Sequence, residues 1–419
     1  MTDSPPLFRP RTGVARELTL RWDTDRLVPA GEGDTVSAAL LGAGVLATSR
    51  SIKYRRHRGP QCLAGDCGTC LVRIDGRPNI RACMTPVRDG MRVEPQNRLL
   101  SGGPDPTALV DKVFVHGMDH HHLMVRPRIA NLMMQEVARG LAGLGKLPDK
   151  PPERAATKRE HAPDLLVVGA GPAGLAAAST ARRAGLSVVH VERIDRAGLR
   201  AFSGARIDRV LDSTAVFGVY PGEGIWAAIT RTREAEVLHV VRPRHVVLAT
   251  GARSPMIPVA GNDIPGVLSA RGLLALLRRS DLELAVPAVV IGSGAPAREA
   301  ADALGSERVE PDAVERIEGH RAVQAVRLRE GRRIACRVVA LAPLPAPASD
   351  LARQAGARVR WDGAGFAVVR DDAGRCASGP KWDLWAAGDV CGWIGPDEAH
   401  RDGSAVGAAV VAACRGDRP

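Results

Sequence analysis

The 419-residue sequence predicts a small α+β domain followed by a larger α/β domain built on a parallel sheet. Three observations favour this fold class. Four cysteines lie close together between short alternating segments in the first hundred residues. An apolar strand runs into a glycine-rich turn at residues 164–174, and two later apolar strands also end in glycine-containing turns. The chain is too long for one ordinary core, so we expect two or three domains.

Composition narrows the classes of function. The hydrophobic content of 45% is that of a globular protein, and no apolar run is long enough to predict an integral membrane segment. The formal charge of +12 comes from 58 basic and 46 acidic residues. No zinc-finger or RNP-like signature accompanies this charge, so we expect no nucleic-acid partner. The positive charge would bind anionic cofactors or an acidic partner subunit, or would have no specific role. No signal peptide opens the chain, which predicts a reducing, cytoplasmic location.

The first hundred residues follow the order of a β-grasp domain. Residues 1–15 are expected to form an irregular arm, and residues 17–22 and 26–30 two strands. Asp34 is the expected N-cap of a helix whose apolar face runs from residue 37 to 46. Residues 71–74 and 91–94 supply further strands, with a hairpin turn at Asp75-Gly76. A β-grasp ferredoxin-like domain is therefore predicted at residues 1–100.

The four cysteines of this domain have the spacing C-x4-C-x2-C-x12-C, and they are Cys62, Cys67, Cys70 and Cys83. The first three match the plant-type loop that wraps a [2Fe–2S] cluster. Two irons need four converging thiolates, and Gly65 and Gly68 would allow the loop to fold tightly around them. A structural zinc, a Cys67–Cys70 dithiol, disulfides or unligated thiols remain alternatives. We interpret the four cysteines as cluster ligands. Four further cysteines are expected to be ordinary thiols: Cys336, Cys376, Cys391 and Cys414.

Two segments on either side of the predicted domain boundary are strongly charged or rich in histidine. Residues 50–59 form a basic run, which would be either a solvated face or a docking strip for a flavin phosphate or a partner. Residues 101–160 are predicted to be a connector and linker, with a helix at 128–144. Four histidines within residues 116–122 invite a metal interpretation. We instead expect them to line an interdomain surface, because Arg126 and Arg128 would repel a cation.

Residues 161–419 are predicted to form a Rossmann-like FAD-binding domain, with a truncated NAD-like insert at about 265–375. Residues 164–174 hold a strand, the turn Gly-x-Gly-x-x-Gly and a helix start, and the next strand ends in Glu192. Glycines at these positions allow a tight turn and close approach of a pyrophosphate, and the acid can accept from a ribose hydroxyl. The strands that end at Thr250-Gly251 and Gly388-Asp389 complete an FAD pattern, and Asp389 would bind the ribityl chain. The predicted cofactor-binding residues are Gly169, Gly171, Pro172, Ala173, Gly174, Glu192, Arg193, Thr250, Gly251, Gly388 and Asp389.

A second fingerprint-like turn is Gly292-Ser-Gly294-Ala-Pro-Ala297. Its Gly-x-Gly-x-x-Ala pattern suits NAD(P). The second strand with its terminal acid or arginine is expected to be missing, because residues 305–319 are short and charged. A working nicotinamide site and a vestigial half-domain both remain open.

The sequence resembles a known family in several of these motifs together. The basic run at 50–59, the connector end at 142–148, the FAD elements and the segment 261–267 resemble the α subunit of heterotetrameric sarcosine oxidase. With its cysteine loop the chain is similar to iron–sulfur relatives in the opine oxidase, hydroxyproline dehydrogenase and hydrogen cyanide synthase group. The resemblance covers nearly the whole chain.

This resemblance implies a role in electron transfer. In that family a separate β subunit oxidises a secondary amine or amino acid with its own flavin, and the α-type subunit carries further redox centres. It implies FAD at the fingerprint residues and a cluster on the four cysteines. The folate-binding domain of the large sarcosine oxidase subunit has no counterpart in this sequence, so no folate chemistry is expected. The segment between Gly198 and Phe217 and the NAD-like half are compressed relative to the family.

We therefore predict an FAD-dependent oxidoreductase: an electron-transfer flavoprotein and iron–sulfur subunit of a heteromeric amine or amino-acid oxidase or dehydrogenase. No catalytic residue is assigned, because no Ser–His–Asp set or pair of carboxylates is evident. The alternatives are a self-contained NAD(P)H-dependent FAD reductase and a degenerate, non-catalytic scaffold subunit. Flavin bleaching by NADH alone would favour the first alternative, and a colourless protein that still binds a partner would favour the second.

Overall fold

The computed structural model describes residues 6–12, 15–51, 56–97, 127–129, 156–203, 209–232, 236–379 and 381–416. The predicted histidine-rich connector and most of the predicted helix at 128–144 lie outside these residues. The chain divides into two compact units. The first unit comprises Met1–Pro151 with Met256–Pro343, and the second comprises Pro152–Pro255 with Leu344–Pro419. None of the helices among the described residues is long and apolar enough to cross a membrane.

The first unit begins with the cysteine-bearing segment, in which short strands surround one face of a helix. These elements are β1 (Phe8–Pro10), β2 (Leu18–Trp22), β3 (Arg26–Ala30), α1 (Val36–Gly42), β4 (Ser49–Arg50), β5 (His57–Arg58), β6 (Leu71–Ile74), β7 (Arg77–Arg81) and β8 (Arg92–Pro95). The sheet order is β3-β2-β8-β6-β7, with β2 and β8 parallel. Leu20, Leu40, Val72 and Val93 form its core with α1. The predicted β-grasp arrangement is confirmed.

The predicted N-cap of α1 is wrong by one residue. Thr35 caps the helix, because its hydroxyl accepts the amide of Ala38 at 3.2 Å. Asp34 instead accepts the amide of Gly31 at 2.9 Å and pairs with Arg16 at 2.8 Å. The buried carboxylate therefore closes the preceding turn and neutralises a cation, and the shorter threonine side chain is left to cap the helix.

The second unit begins at the next segment of the chain. Its elements are β9 (Ala156–His161), β10 (Leu165–Val168), α2 (Pro172–Arg183), β11 (Val188–Val191), α3 (Arg196–Ser203), β12 (Thr214–Tyr220), β13 (Ile225–Arg231), β14 (Glu236–Val241), β15 (His245–Leu248) and β16 (Ala252–Arg253). Strands β12, β13, β14 and β9 form one sheet in that order. The apolar strands predicted before the first glycine turn, before Glu192 and before Thr250 are confirmed as β10, β11 and β15.

The chain then returns to the first unit and forms a second parallel sheet. Its elements are β17 (Val267–Ser269), α4 (Ala270–Arg279), β18 (Leu282–Leu284), β19 (Ala288–Ile291), α5 (Gly294–Leu304), β20 (Glu307–Val309), β21 (Val314–Gly319), β22 (Val323–Leu328), β23 (Arg333–Ala335) and β24 (Val338–Leu341). The parallel order is β17-β24-β19-β20, and β21–β23 form a separate antiparallel sheet.

One core joins this parallel sheet to the cysteine-bearing segment. The prediction of an irregular N-terminal arm is wrong for residues 8–10, because β1 pairs antiparallel with β18. Phe8 is fully buried and packs with Leu41 of α1, Leu273 of α4 and Val290 of β19. Burial of these large apolar side chains stabilises the two segments together, at about 1.5–3 kcal/mol for each side chain. They therefore form one compact unit although the whole of Pro152–Pro255 separates its two parts in the sequence.

The last segment completes the second unit. Its elements are β25 (Ala346–Pro347), α6 (Asp350–Gln354), β26 (Val359–Trp361), β27 (Phe366–Val368), β28 (Arg375–Ser378), β29 (Asp383–Ala386) and α7 (Pro396–Arg415). The main sheet has the order β11-β10-β15-β29-β28, parallel except for β28. From β10 the chain first goes to β11 on one side and later to β15 on the other. Such a reversal opens a crevice at the carboxyl ends of the strands, where ligands bind in doubly wound folds.

Candidate functional site

The cysteine loop wraps backbone amides around the sulfur of its first cysteine. The Cys62 Sγ accepts the amides of Ala64, Asp66 and Cys67 at 3.4, 3.2 and 3.4 Å. A Cβ at Gly65, whose φ is +80°, would lie 2.8 Å from the Met84 side chain, so the loop needs glycine there. Amides that converge on one sulfur favour negative charge at that atom, which is the environment of a metal-bound thiolate.

The other three cysteines converge on the same loop. The hairpin predicted at Asp75-Gly76 joins β6 to β7 and brings the next turn back, so that the Cys70 and Cys83 Sγ atoms lie 3.4 Å apart. Cys62, Cys70 and Cys83 are buried, whereas Cys67 is exposed. Hydrogen bonds from the Cys67 and Cys83 thiols lower the pKa of Cys62, and donating that bond raises the pKa of Cys67. Hydrogen bonds thus link the four thiols to one another within this loop.

The four thiols have the donor chemistry of a binuclear cluster. A [2Fe–2S] cluster is held by four thiolates that are distributed over two irons. The close Cys70–Cys83 pair and the amide-lined Cys62 have the donor chemistry that such a cluster requires.

The first glycine turn of the second unit packs tightly on its underside and is open above. A Cβ at Gly169 would lie 2.2 Å from the Ala249 carbonyl oxygen, and one at Gly174 would lie 1.9 Å from the Gly169 carbonyl oxygen. A Cβ at Gly171, which precedes α2, would meet no atom within 4 Å. Pro172 and Ala173 begin the first turn of α2, in which Pro172 has no amide hydrogen and the amides of Ala173 and Gly174 have no partner within the helix. Backbone packing below and open space above form a cradle for a phosphate group.

The two residues that follow β11 shape the rim of this cradle. One Glu192 oxygen accepts the amide of Ala170 at 2.7 Å and the other accepts that of Ile194 at 2.9 Å. The carboxylate is therefore held in place and retains acceptor capacity for a ribose hydroxyl. The exposed Arg193 lies beside it in the sequence, just past the strand.

His190 supports the turn from below, and sequence analysis missed it. Its Nε2 donates to the Gly169 carbonyl at 2.8 Å, and the ring is 1% exposed. Burial lowers the pKa of His190 to about 4, so the ring is neutral at pH 7. The available signal was a histidine in an otherwise apolar strand, two residues before the acid.

The remaining predicted residues lie at the carboxyl ends of β15 and β29. The Thr250 hydroxyl donates to the Ala348 carbonyl at 2.8 Å, and Gly251 follows with open space around it. Asp389 accepts the amides of Ile394 and Gly395 at 3.0 and 3.3 Å, so its carboxylate organises the loop before α7. Parallel pairing of β10, β15 and β29 brings the three strand ends to one edge of the sheet.

Helix α7 contributes residues that the sequence analysis did not single out. Asp402 accepts the Gly388 amide at 2.7 Å and pairs with Arg370 at 2.8 Å. A Cβ at Gly403 would lie 2.1 Å from the Ala173 carbonyl oxygen, so α7 packs directly on the first turn of α2. The sequence feature that could have predicted this close packing is the spacing of Gly403 and Gly407 on a helix rich in small residues.

The second glycine turn has the strand and acid that were predicted to be missing. Strand β20 runs parallel to β19 and is followed by Glu310. The Ser293 hydroxyl donates to Glu310 at 2.6 Å, and Arg308 forms an ion pair with it. The prediction is corrected: β20 is only three residues long, too short for its pattern to be distinguished from a charged loop.

The basic run before the cysteines is partly paired. Arg56 and Arg58 both contact the Asp263 carboxylate, at 3.3 and 2.9 Å. Residues 52–55 of this run lie outside the described residues. Of the four other cysteines, Cys336 is buried and the rest are partly exposed, all as free thiols.

Comparison with known proteins identifies both glycine- and cysteine-containing regions. Residues 15–98 match the model of the 2Fe-2S iron-sulfur cluster binding domain, and residues 167–219 match that of the NAD(P)-binding Rossmann-like domain. The chain is 33% identical over 311 residues to sarcosine oxidase subunit alpha of Rhizobium meliloti (strain 1021), which covers 64% of this chain and 31% of that subunit. This chain thus spans about a third of the length of that relative.

One further relative and one solved structure match different shares of the chain. Hydrogen cyanide synthase subunit HcnA of Pseudomonas protegens (strain DSM 19095 / LMG 27888 / CFBP 6595 / CHA0) is 37% identical over 78 residues, which is 18% of this chain and 73% of that subunit. The crystal structure of L-proline dehydrogenase from P. horikoshii has a TM-score of 0.67 at 19% identity, over 95% of this chain and 74% of that one. At this identity the structural match establishes the fold. With the cysteine loop and the glycine turn, these matches show that the chain belongs to the family of α-type subunits of sarcosine oxidase, opine oxidase and hydrogen cyanide synthase, with an N-terminal [2Fe–2S] domain and a Rossmann-like FAD-binding domain.

Proposed function

We propose that the chain is the electron-transfer subunit of a heteromeric oxidase or dehydrogenase of amines or amino acids. A partner flavin subunit would oxidise the substrate, and this chain would receive the electrons. The observation that carries the proposal is the presence, in one chain, of an amide-lined cysteine loop and a cradle-like glycine turn. When bound, FAD takes up two electrons and a [2Fe–2S] cluster passes electrons singly.

The cysteine loop would hold the cluster through Cys62, Cys67, Cys70 and Cys83. The amides of Ala64, Asp66 and Cys67 would stabilise negative charge at the Cys62 sulfur. Burial of Cys62, Cys70 and Cys83 would exclude water from most of the site. The exposed Cys67 leaves one side close to solvent, where electrons can enter or leave.

The glycine turn would hold the FAD pyrophosphate. The amides at the start of α2 would donate to the phosphates, and Glu192 would accept from the adenosine ribose. Thr250, Gly251, Gly388 and Asp389, at neighbouring strand ends, would bind the rest of the flavin. Asp402 would orient the Gly388 loop through its hydrogen bond from the Gly388 amide.

Anaerobic redox titration of the purified chain tests this proposal. We expect flavin and iron in the protein, and uptake of about three electrons per chain from dithionite, two by FAD and one by the cluster. The variant Cys70→Ser should lose iron and retain flavin. The matched control Cys336→Ser changes another buried thiol of the same unit and should retain both. Iron that persists in Cys70→Ser at the wild-type level would contradict the ligand assignment.

The partner is tested by purifying the tagged chain from its native host. We expect a second flavin-containing chain to co-purify. Sarcosine, L-proline or an opine should then bleach the flavin anaerobically in the complex, whereas the isolated chain should stay oxidised. Bleaching of the isolated chain by one of these substrates would place amine oxidation in this chain and overturn the proposal.

The second glycine turn favours one further candidate function, that of an NAD(P)H-dependent reductase. The observation is Glu310, which follows β20 in the position where dinucleotide folds hold a ribose-binding acid. NADH added to the anaerobic chain would then bleach the flavin at once, and Glu310→Gln would raise the NADH concentration required. If NADH leaves the spectrum unchanged, the reductase candidate is excluded while the electron-transfer proposal stands.

A further inference from the structure

Residues 262–272, which lead into and begin helix α4, contact the chain just before and at the first cysteine. The Gln61 side chain donates to the Asn262 carbonyl at 2.9 Å, and the Ser269 amide donates to the Gln61 carbonyl at 2.8 Å. Asp263 pairs with Arg58, three residues earlier. Three polar contacts therefore tie the segment that enters the cysteine loop to residues 262–269, which lead into α4.

Helix α4 also meets the cysteine itself. A Cβ at Gly272 would lie 2.1 Å from the Cys62 carbonyl oxygen and 3.0 Å from the Leu63 Cβ. The first turn of α4 therefore lies directly against the backbone of Cys62, and only glycine permits this approach. Leu63 packs against both the core shared by the two segments and the core of the β-grasp sheet. The contact is thus supported on both sides.

We propose that Gly272 and the residues around it are positioning residues for the iron–sulfur cluster, and that the NAD-like segment serves as the platform that sets the cluster's geometry and potential. Cys62 is the cysteine whose sulfur accepts three amides, so a shift of its backbone changes the hydrogen bonds that stabilise charge at that sulfur. Hydrogen bonds to the sulfurs are one of the factors that set the potential of such a cluster.

The direction of the effect follows from charge. Reduction adds an electron to the cluster, so groups that stabilise negative charge raise its potential. The three amides do so, and the positive end of α4 beside Cys62 acts in the same sense. Loosening the contact should therefore lower the midpoint potential. The segment would contribute to electron transfer whether or not a dinucleotide binds to it.

The inference rests on the proposed cluster and is tested with Gly272→Ala in the full chain. We expect a changed EPR spectrum of the reduced cluster, a downward shift of its midpoint potential, and loss of iron to a chelator that is about tenfold faster, as overpacking predicts. Flavin content should be unchanged. The matched control is Gly403→Ala, where a Cβ would also lie 2.1 Å from a backbone carbonyl, but in the second unit. It should leave the cluster's EPR spectrum and potential unchanged.

A milder variant keeps the inference testable if Gly272→Ala does not fold. Gln61→Met removes the hydrogen bond to Asn262 with little change in size and no change in charge, so it should shift the EPR spectrum and potential in the same direction by less. Wild-type spectrum and potential in folded Gly272→Ala, or in Gln61→Met, would overturn the inference. Wild-type protein without any cluster would instead overturn the proposed function.

Discussion

The two glycine turns of this chain are built alike and differ in what surrounds the acid. In both, the first glycine approaches a neighbouring strand too closely for a side chain: a Cβ would lie 2.2 Å from the Ala249 oxygen at Gly169, and 2.1 Å from the Ala342 oxygen at Gly292. In both, the residue two positions before the acid donates to the carbonyl of that glycine. His190 does so at 2.8 Å and Arg308 at 3.3 Å.

The acids themselves are placed differently. Glu192 is held by two backbone amides and has acceptor capacity left for a ligand. Glu310 accepts from the Ser293 hydroxyl and pairs with Arg308, both of which lower its pKa. Beside the first turn, the neutral His190 leaves the charge of Glu192 available to a ligand. Beside the second turn, Arg308 neutralises the charge of Glu310. The same glycine pattern therefore produces the same backbone arrangement in both turns. The residues of the neighbouring strand determine whether the acid is available to bind a ligand.

The largest expected effect comes from making the first turn resemble the second. Gly174→Ala introduces the residue that the second turn has at the equivalent position, Ala297, but its Cβ would lie 1.9 Å from the Gly169 carbonyl oxygen. We expect near-complete loss of flavin, measured by absorbance, because overpacking of this kind costs about 1–3 kcal/mol or more at the cofactor site. The reciprocal control Ala297→Gly should retain the flavin. Flavin retention in Gly174→Ala would mean that the turn can relax.

The free energy of unfolding should depend on pH through His190, the residue that supports the first glycine turn. Because the pKa of His190 falls from 6.5 to about 4 on folding, the neutral ring stabilises the folded state above about pH 6.5. This contribution is lost as the pH falls from about 6.5 to 4, and amounts to about 3 kcal/mol.

The measurement for His190 is the free energy of unfolding by urea at pH 7 and pH 4.5. In His190→Gln the side-chain amide can still donate to Gly169, so the loss of stability at low pH should be smaller than in wild type. The prediction fails if both proteins lose the same free energy over this range.

A smaller effect is expected at the first acid. Glu192→Gln removes the charge that would strengthen the hydrogen bond from the ribose, so FAD should bind about tenfold more weakly. Flavin fluorescence during titration of the apoprotein measures this. An unchanged dissociation constant would show that the ribose is bound elsewhere.

The smallest effect is expected at the second acid. Glu310 is solvent-exposed, so Glu310→Gln should leave the flavin content, the iron content and the midpoint of thermal unfolding unchanged. Absorbance and calorimetry check this. A loss of flavin in this variant would contradict the view that the two turns act independently.

The sequence predicted the parts of this protein that depend on local pattern. The strand before Gly169, the hairpin turn at Asp75-Gly76 and the helix after Gly171 follow from hydrophobic period and turn residues, which act over a few neighbours. The four cysteines were predicted as cluster ligands because cluster ligation needs a fixed spacing. Short elements escaped prediction. Strand β20 has three residues, and β1 has no pattern that would distinguish it from an irregular arm.

The sequence by itself determined the fold class, the cysteine loop and the first dinucleotide turn, because each depends on residues that lie close together in the sequence. Only the tertiary structure decided the partners of these motifs. The contact of Gly272 with Cys62, the hydrogen bond from His190 to Gly169 and the pairing of β1 with β18 join residues 21 to 276 positions apart. The hydrophobic periodicity of the sequence does not predict such contacts, since they arise when distant segments bury their apolar faces in one core.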